Sequence, residues 1–244
     1  MKKTLDVSII AANYNNAPYL RDFLNSIVNS CVLPKELILV DDGSTDESID
    51  MLNEYSDHSF IQIIRFDTNK GFTEALNTAL DKASGKYIIR ADPDDILDNN
   101  RIEKQYRYME ENPEIDVLGT NVTYFRSTDG IRLNTSNFPL TLKAIYNRFF
   151  KGGYGIQHPT VCVRREVYKQ YRYQAIFPGE DYELFARMIH DGHHFANLAE
   201  PLYLMRIHKG SSTSNITYGE VKQCFHFRDQ IFGTKSTRFI SIKA

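Results

Sequence analysis

Between residues 6 and 91 the sequence alternates short apolar runs, rich in β-branched residues, with amphipathic stretches of helical period. The apolar runs predict four strands, at residues 7–11, 36–40, 61–64 and 86–91. The stretches between them predict three helices, at residues 18–30, 46–55 and 72–83. Strand–helix–strand units of this kind form a mainly parallel sheet flanked by helices. The sequence therefore predicts an α/β fold.

After residue 95 the alternation loosens, which predicts a mixed α+β region. Its predicted helices lie at residues 101–112, 142–150, 182–191 and 219–232, and its predicted strands at residues 117–124 and 160–164. The sequence contains no internal repeat, no low-complexity segment and no linker that would mark a clean domain boundary. We therefore expect the two regions to be halves of one domain.

Polar residues follow three of the four strands at their carboxyl ends, where ligands bind in sheets of this type. Asn13-Tyr14-Asn15 follows the first strand, Asp41-Asp42 follows the second, and the acidic run Asp92-Pro93-Asp94-Asp95 follows the fourth. Because these ends meet at one edge of a parallel sheet, the three groups are expected to form a single site.

The acidic run places three carboxylates directly after a buried strand. Carboxylates this close repel one another unless a cation lies between them. Mg²⁺ or Mn²⁺ would take a few carboxylate oxygens and complete its shell with water or phosphate oxygens, so a metal-bound diphosphate is one interpretation. The other is an acidic turn, in which Pro93 fixes the bend and Asp94 or Asp95 caps the following helix.

The turn Asp41-Asp42-Gly43-Ser44-Thr45-Asp46 also has two interpretations. It is a tight turn in which a side chain caps the next helix, or it offers a carboxylate to a nucleotide base or ribose. The imide N–H of uracil suits such an acceptor. Neither the glycine fingerprint of dinucleotide folds nor a phosphate-loop motif is present, so a bound diphosphate would have to be held mainly by metal.

Two carboxylates and two histidines later in the chain are further candidates. Glu180-Asp181 opens a predicted helix, so Asp181 is either a helix cap or a general base. Glu180 and the carboxylates of the acidic run would raise its proton affinity. His158 precedes Pro159 in a loop and either contacts substrate or fixes the turn. His208 follows a strand-like stretch, and its imidazole could complete a metal shell.

Composition excludes several classes of protein. The formal net charge of −2 argues against a general nucleic-acid binder. No stretch is apolar enough to span a bilayer, and the start of the chain lacks the hydrophobic region of a signal peptide. Cys31, Cys162 and Cys224 are scattered without zinc spacing and are interpreted as reduced thiols. We therefore expect a cytoplasmic protein.

The C-terminal segment, residues 219–244, carries five Lys/Arg against two Asp/Glu, interleaved with phenylalanines. A basic, aromatic segment could rest on an anionic membrane, which would give a peripheral contact with its inner face. A helix packed on the core would explain the same residues.

Taken together, the motifs resemble those of the family-2 glycosyltransferases with the GT-A fold, bacterial enzymes that use nucleotide sugars. They occur in the family's order within residues 6–212: Tyr14-Asn15, Val40 to Asp46, Asn69-Lys70-Gly71, Gly85 to Ile88, Asp92 to Asp95, Arg101, Gln105, Asn112-Pro113, Ile115 to Gly119, His158-Pro159-Thr160 and Glu180 to Leu184. Three positions depart from the family's pattern. Asn13 stands where Thr is common, Leu76 where many members have Arg, and Pro93 where a small residue is common.

The resemblance implies a GT-A-like α/β fold with a mixed α+β acceptor side, and an inverting, metal-dependent transfer from a UDP-sugar. The acceptor would be a saccharide or a lipid-linked saccharide in bacterial surface polysaccharide synthesis. Residues 1–98 would bind the nucleotide sugar and residues 99–218 would bind the acceptor and supply the base. Residues 219–244 would form a C-terminal helix and tail. An inverting displacement needs one base and a stabilised leaving diphosphate.

The resemblance also implies a role for each candidate residue. Asp41 would meet the base of the nucleotide and Asp92 the ribose, within a set of nucleotide-binding residues: Asn13, Tyr14, Asn15, Asp41, Asp42, Lys70, Gly71 and Asp92. Asp94 would ligate Mn²⁺ or Mg²⁺, with His208 as a further ligand. Asp181 would be the general base, and His158 and Glu180 would contact the acceptor or the donor sugar.

Two other classes of protein are alternatives. A sugar-1-phosphate nucleotidyltransferase also uses an α/β sheet and Mg²⁺, but it needs a glycine-rich, basic loop after the first strand, where this chain has Ala11 to Asn16. A non-catalytic nucleotide-binding module, or an acidic-pocket module such as a phospho-receiver domain, would explain Asp41-Asp42 but not Glu180-Asp181.

Overall fold

The computed structural model describes residues 2–176, 178–209 and 218–234. In the first part of the chain, strands and helices alternate as the periodicity predicts. Their bounds are β1 (Thr4–Asn13), α1 (Ala17–Val28), β2 (Leu33–Asp41), α2 (Ser48–Asn53), β3 (Ile61–Arg65), α3 (Phe72–Lys82) and β4 (Tyr87–Arg90). The neighbours β3–β2, β2–β1 and β1–β4 are all parallel, so the predicted parallel sheet is confirmed.

The second part of the chain mixes short strands and helices. Its elements are β5 (Ile96–Leu97), α4 (Arg101–Glu111), β6 (Val117–Arg126), β7 (Arg132–Thr135), α5 (Leu142–Phe150), a 3₁₀ turn (His158–Thr160), β8 (Cys162–Arg164), α6 (Arg165–Gln170), α7 (Glu180–His190), β9 (Phe195–Ile207) and α8 (Tyr218–Phe232). Its strands extend the same sheet with antiparallel pairs, except that β6 and β9 run parallel.

Within the described residues the strands form one nine-stranded sheet in the order β3-β2-β1-β4-β8-β6-β9-β5, with β7 paired to β6. Side chains alternate across it, so Ile9 and Ile10 of β1 enter different cores. One core is covered by α1, α2 and α4, and the other by α3, α5, α7 and α8. Together the two layers of helices bury both faces of β1, β2 and β4, which explains their continuous apolar runs.

Some predicted elements differ from the structure. The predicted strand at residues 160–164 is a 3₁₀ turn followed by the shorter β8, and the strand-like stretch before His208 belongs to the much longer β9. Sequence did not predict β5, β7 or α6, which are short and have no clear period. Of the C-terminal segment, residues 235–244 lie outside the described residues. No described helix has the length and apolar character needed to cross a bilayer.

Candidate active site

A cavity of about 850 Å³ opens at the carboxyl ends of β1, β2 and β4. Its other walls come from residues 152–159, the start of α7 and two residues of α8. Ten of the predicted site residues line it: Asn13, Tyr14, Asp42, Gly71, Asp92, Asp94, His158, Glu180, Asp181 and His208. Asn15, Asp41 and Lys70 are not among the lining residues. The structure therefore brings both halves of the predicted site into one cavity.

Asp41 is buried behind the cavity wall. Its Oδ1 accepts hydrogen bonds from Asn13 Nδ2 at 2.8 Å and from Ser44 Oγ at 2.6 Å, and its Oδ2 accepts from the Ser44 N–H at 3.1 Å. Asp41 is thus held within a tight turn, as the turn interpretation predicts. The N-cap of α2 is Glu47, however, and not Ser44, Thr45 or Asp46, and the Glu47 side chain makes no capping hydrogen bond. Its contact with a nucleotide base stays a prediction, and its neighbour Asp42 has the lining position.

Asp42 and Asn15 tie three strand-end loops together. The Asp42 carboxylate accepts the backbone N–H of Lys70 at 2.6 Å and of Gly71 at 2.9 Å. Gly71 has a φ of +100°, which an L side chain rarely adopts. Asn15 also has a positive φ, of 54°, and its Oδ1 accepts the Thr45 N–H at 2.8 Å. Asn15 therefore fixes the loop after β2 relative to the loop after β1 without lining the cavity. The half-exposed ring of Tyr14 does line the cavity.

Asp92 forms a two-point ion pair with Arg90. The Arg90 guanidinium is buried and donates to both Asp92 oxygens, at 2.6 Å to Oδ2. The Asp92 N–H also donates to the Tyr203 hydroxyl, 2.9 Å away. Burial raises the pKa of Asp92 to about 6. The Asp94 charge also raises this pKa, whereas the Arg90 charge lowers it. Arg90 therefore fixes the orientation of a carboxylate that would otherwise be repelled by its neighbours.

Asp94 and Asp95 are adjacent in sequence but have different surroundings. Asp95 is buried, accepts the Arg206 N–H at 2.7 Å, and has a pKa held well above its usual range by burial and by Asp94 and Asp92. Asp94 instead lines the cavity, with its Oδ2 3.0 Å from Nε2 of His208. Asp95 is thus held by the backbone of β9, and Asp94 presents its carboxylate to the cavity.

The acidic run is a suitable site for a divalent cation. Asp92, Asp94 and Asp95 each offer a carboxylate oxygen within 4.8 Å of the others. His208 adds an imidazole nitrogen beside Asp94, and its ring packs on Tyr19 with the centroids 4.6 Å apart. Oxygen donors with one nitrogen suit Mn²⁺ or Mg²⁺. The donors of this site therefore fit the predicted metal.

Asp181 lies at the first turn of α7, on the far wall of the cavity. Its Oδ1 accepts hydrogen bonds from the Tyr154 hydroxyl at 3.0 Å and from the Tyr182 N–H at 2.7 Å. Its Oδ2 is 4.0 Å from Nδ1 of His158. Burial raises the pKa of Asp181, which makes its carboxylate a stronger base. The N-cap of α7 is Gly179 and no side chain caps this helix, so Asp181 is not its cap. The two hydrogen bonds that Asp181 accepts both go to Oδ1.

Glu180 and His158 flank Asp181. Burial, assisted by the Asp181 charge, raises the pKa of Glu180 to about 7. His158 is buried, and its Nε2 lies 2.7 Å from the Tyr173 hydroxyl. Burial and the nearby Arg90 charge hold the pKa of His158 well below its usual range, so the imidazole is neutral at pH 7. His158 is therefore a neutral hydrogen-bonding group of the wall.

Sequence reasoning assigned no role to Arg90, Tyr154 or Arg206. Arg90 ends an otherwise apolar strand, and this isolated charge was the signal that could have identified it. Arg206 donates to the Asp94 carbonyl at 2.7 Å and to Asp22 at 2.7 Å, and its guanidinium lies over the rings of Tyr19 and Phe125. Neither Tyr154 nor Arg206 lies near its partners in sequence, so no local pattern pointed to them.

Comparison with known proteins supplies independent evidence. The model of the family "Glycosyl transferase family 2" matches residues 8–172. Among curated relatives, the amylovoran biosynthesis glycosyltransferase AmsE of Erwinia amylovora is 31% identical over 212 residues, covering 85% of this chain and 78% of the relative. The Escherichia coli UDP-Gal:α-D-GlcNAc-diphosphoundecaprenol β-1,3-galactosyltransferase is 27% identical over 228 residues, covering 90% and 82%.

Two solved structures share the fold. S. aureus TarS 1–349 in complex with UDP-GlcNAc superposes with a TM-score of 0.74 at 20% identity, covering 98% of this chain and 68% of that one. The Pyrobaculum calidifontis mannosyltransferase PcManGT, in complex with GDP-Man and Mn²⁺, superposes with a TM-score of 0.64 at 15% identity, covering 93% and 69%. The predicted GT-A-like fold is thereby confirmed.

Proposed function

Because this chain belongs to glycosyl transferase family 2, we propose that it is an inverting glycosyltransferase that moves a sugar from a UDP-sugar to a saccharide or lipid-linked saccharide acceptor. The observation that carries the proposal is the single cavity lined both by the carboxylates of Asp92 and Asp94 and by those of Glu180 and Asp181. An inverting displacement needs one such carboxylate as base and a separate group of ligands at the leaving diphosphate.

The relatives support the choice of substrates. TarS binds UDP-GlcNAc, and the E. coli relative is named for UDP-Gal and a diphosphoundecaprenol-linked acceptor. AmsE is named for the biosynthesis of a polysaccharide, amylovoran. We assign this chain to bacterial surface polysaccharide synthesis on the cytoplasmic side of the membrane, where a lipid-linked acceptor would be reached.

At the donor end, the loops after β1, β2 and β3 would hold the nucleoside. Asn13, Tyr14 and Asp42 line this part of the cavity, and Asp42 also fixes the Lys70-Gly71 backbone. Asp92 would accept a hydrogen bond from a ribose hydroxyl, with its orientation set by the ion pair to Arg90. Because the contacts of Asp42 with the Lys70-Gly71 backbone and of Asp92 with Arg90 are already formed, these side chains would lose little conformational freedom when the nucleotide binds.

Asp94 and His208 would hold Mn²⁺ or Mg²⁺, since Asp94 Oδ2 and His208 Nε2 lie 3.0 Å apart and line the cavity. When bound, the cation would offset the negative charge that develops on the leaving diphosphate. The Mn²⁺ complex of PcManGT supports this assignment. Arg206 would hold the Asp94 loop in place outside the cavity, because it donates hydrogen bonds to the Asp94 carbonyl and to the Asp22 carboxylate.

Asp181 would take the proton of the attacking acceptor hydroxyl. Tyr154 and the Tyr182 N–H both donate to Oδ1, which leaves Oδ2 as the oxygen for the acceptor proton. The raised pKa of Asp181 favours proton transfer, and Glu180 and His158 would contact the acceptor or the donor sugar beside it. Proton transfer and departure of the diphosphate are thus assigned to different walls of one cavity.

The test is release of UDP from a panel of donors. The full chain is incubated with UDP-GlcNAc, UDP-Gal, UDP-Glc and GDP-Man in the presence of Mn²⁺, Mg²⁺ or EDTA. We expect slow, metal-dependent hydrolysis of at least one UDP-sugar and none of GDP-Man. Formation of pyrophosphate from UTP and a sugar 1-phosphate would favour a nucleotidyltransferase instead. Nucleotide binding without any turnover, with or without saccharide acceptors, would favour a non-catalytic module.

A further inference from the structure

Helix α5 has an outward face that combines aromatic and basic side chains. Its inward face buries Ile145 and Phe149 in the core. Lys143, Tyr146 and Phe150 are spaced three and four residues apart, so they share the opposite face of the helix. The side chains of Tyr146 and Phe150 are 37% and 39% exposed, although a soluble helix usually presents polar residues there. Packing within the described residues covers these two rings only in part.

The exposed rings form an ordered cluster rather than isolated contacts. The centroids of Tyr146 and Phe150 are 5.9 Å apart, and those of Tyr146 and Phe232 of α8 are 5.7 Å apart. Phe232 also lies 6.0 Å from Phe150. Two helices therefore hold three rings in one half-exposed patch, and such rings prefer the boundary between headgroups and acyl chains in a membrane.

The charges around this patch are all of one sign along the helix. Residues 142–151 contain Lys143, Arg148 and Lys151 and no Asp or Glu. All three basic side chains are exposed, and none forms an ion pair with a described residue. A cluster of Lys/Arg next to exposed aromatic rings is the combination that binds anionic lipid headgroups.

The patch is continuous with the cavity. Lys151 is followed at once by Gly152, Gly153 and Tyr154, which are lining residues. Gly152 has a φ of +79°, and a Cβ there would lie 2.6 Å from the Phe225 ring of α8. The loop between patch and cavity is therefore packed against α8, and a surface bound by α5 would lie beside the cavity wall that carries Tyr154.

We propose that the outward face of α5, formed by Lys143, Tyr146 and Phe150 and extended by Lys151 at the end of the helix, docks on an anionic lipid bilayer. Docking of α5 would place the cavity next to the membrane surface; that this delivers a lipid-linked acceptor rests on the proposed function. The surface differs from the one predicted from sequence, because its basic residues belong to α5 and not to residues 219–244.

The test is co-sedimentation of the full chain with vesicles of phosphatidylcholine alone or mixed with phosphatidylglycerol in equal parts. The wild type is expected to bind only the anionic vesicles, in a salt-sensitive way. The double variant Lys143→Glu, Lys151→Glu should bind at least about 20-fold more weakly, since each basic residue contributes roughly fivefold at such a surface. Tyr146→Ser with Phe150→Ser should weaken the binding that remains at high salt.

Two further variants and one further assay decide the outcome. A matched double variant on other surfaces, Lys3→Glu with Arg107→Glu, should bind like the wild type. Equal loss in this control would mean that only net charge matters, and no binding by the wild type would also overturn the proposal. Loss on Lys235→Glu, Arg238→Glu and Lys243→Glu, with the α5 variant unaffected, would assign binding to the C-terminal segment instead. UDP release in solution is measured in parallel and should be unchanged in the α5 variant, so a failed docking surface is distinguished from a failed enzyme assignment.

Discussion

At the scale of single residues, chemically identical carboxylates differ in their hydrogen-bond partners and in their access to the cavity, because their surroundings differ. Asp95 is bound by a backbone N–H from β9, whereas Asp94 lines the cavity opposite His208. Asp41 is enclosed by Asn13 and Ser44, whereas Asp42 reaches the cavity. In the first pair Asp95 holds the backbone and Asp94 faces the cavity. In the second pair both members hold backbone or side-chain donors, because Asp42 accepts the N–H groups of Lys70 and Gly71, but only Asp42 also lines the cavity.

Asp181 and Tyr154 are expected to affect turnover rather than donor binding. Asp181→Asn should lower the transfer rate by roughly 10²–10⁴, because it removes a general base. Tyr154→Phe should lower it by roughly tenfold, because one hydrogen bond to the carboxylate is lost. Both variants should keep the UDP and Mn²⁺ affinity of the wild type in calorimetry, as should the surface control Asp57→Asn. Near wild-type transfer by Asp181→Asn would leave Asp181 only a structural role in the first turn of α7 and make Glu180 the next candidate.

Glu180 should make stability depend on pH. Its folded-state pKa, about 7, is raised above the ordinary value of 4.5. The native state therefore binds a proton that the unfolded state releases, so this contribution is fully present below pH 4.5 and is lost as the pH rises through about 7. Glu180→Gln removes the dependence. Between pH 5 and pH 8, the stability of the wild type should fall relative to the variant by roughly 2 kcal/mol or more.

The measurement for Glu180 is urea unfolding of both proteins without metal or nucleotide. Parallel pH profiles for wild type and variant would show that the carboxylate of Glu180 is ionised and well solvated at pH 5.

At the scale of elements, α4 supports the site without entering the cavity. The buried Gln105 donates from Nε2 to the carbonyls of Leu118 on β6 and Thr160 before β8, at 3.0 and 2.8 Å, and accepts from Arg101 Nε at 2.9 Å. Arg101 in turn donates to the carbonyl of Arg90, at 2.9 Å. One helix thereby ties the end of β4, and with it the Asp92 loop, to the second half of the sheet.

Gln105→Met is expected to destabilise the fold by roughly 2–4 kcal/mol. The methionine fills a similar volume but leaves two buried carbonyls and the Arg101 Nε–H without their partner. Urea unfolding at pH 7 measures the change. Glu111→Met, at the exposed end of the same helix, is the control and should stay within about 0.5 kcal/mol of the wild type. A similar small effect for Gln105→Met would mean that the two carbonyls find other donors.

At the scale of the whole molecule, residues from β1 through α8 share the walls of one cavity, so donor and metal should stabilise the chain as a unit. Saturating UDP with Mn²⁺ at about 100 times the Kd adds roughly 2.7 kcal/mol, which should raise Tm by about 5–10 °C in a single transition.

Asp94→Asn should remove the part of this Tm increase that depends on Mn²⁺ and leave the Tm without ligands nearly unchanged. His208→Ala should have a smaller effect of the same kind, and Asp67→Asn, on the exposed surface, should behave like the wild type. An unaltered Mn²⁺-dependent increase in Asp94→Asn would contradict the metal assignment.

The sequence by itself determined the parallel half of the fold, because strand and helix periods are local properties of the sequence. They can be recognised without knowing which parts of the chain pack together. It also determined which short motifs collect at one sheet edge, and the ordered series of motifs pointed to the family. The division of the chain at residues 98 and 218 and the role of each site residue stay predictions.

Only the tertiary structure decided which carboxylates are buried and which line the cavity. That choice depends on partners distant in sequence, such as Arg206 for Asp95, Tyr154 for Asp181 and Arg101 for the Arg90 carbonyl. Burial and charge pairing set the pKa of a side chain, and both depend on atoms that the chain brings together only when it folds. A local pattern can therefore identify an acidic cluster, but its individual roles arise from long-range packing.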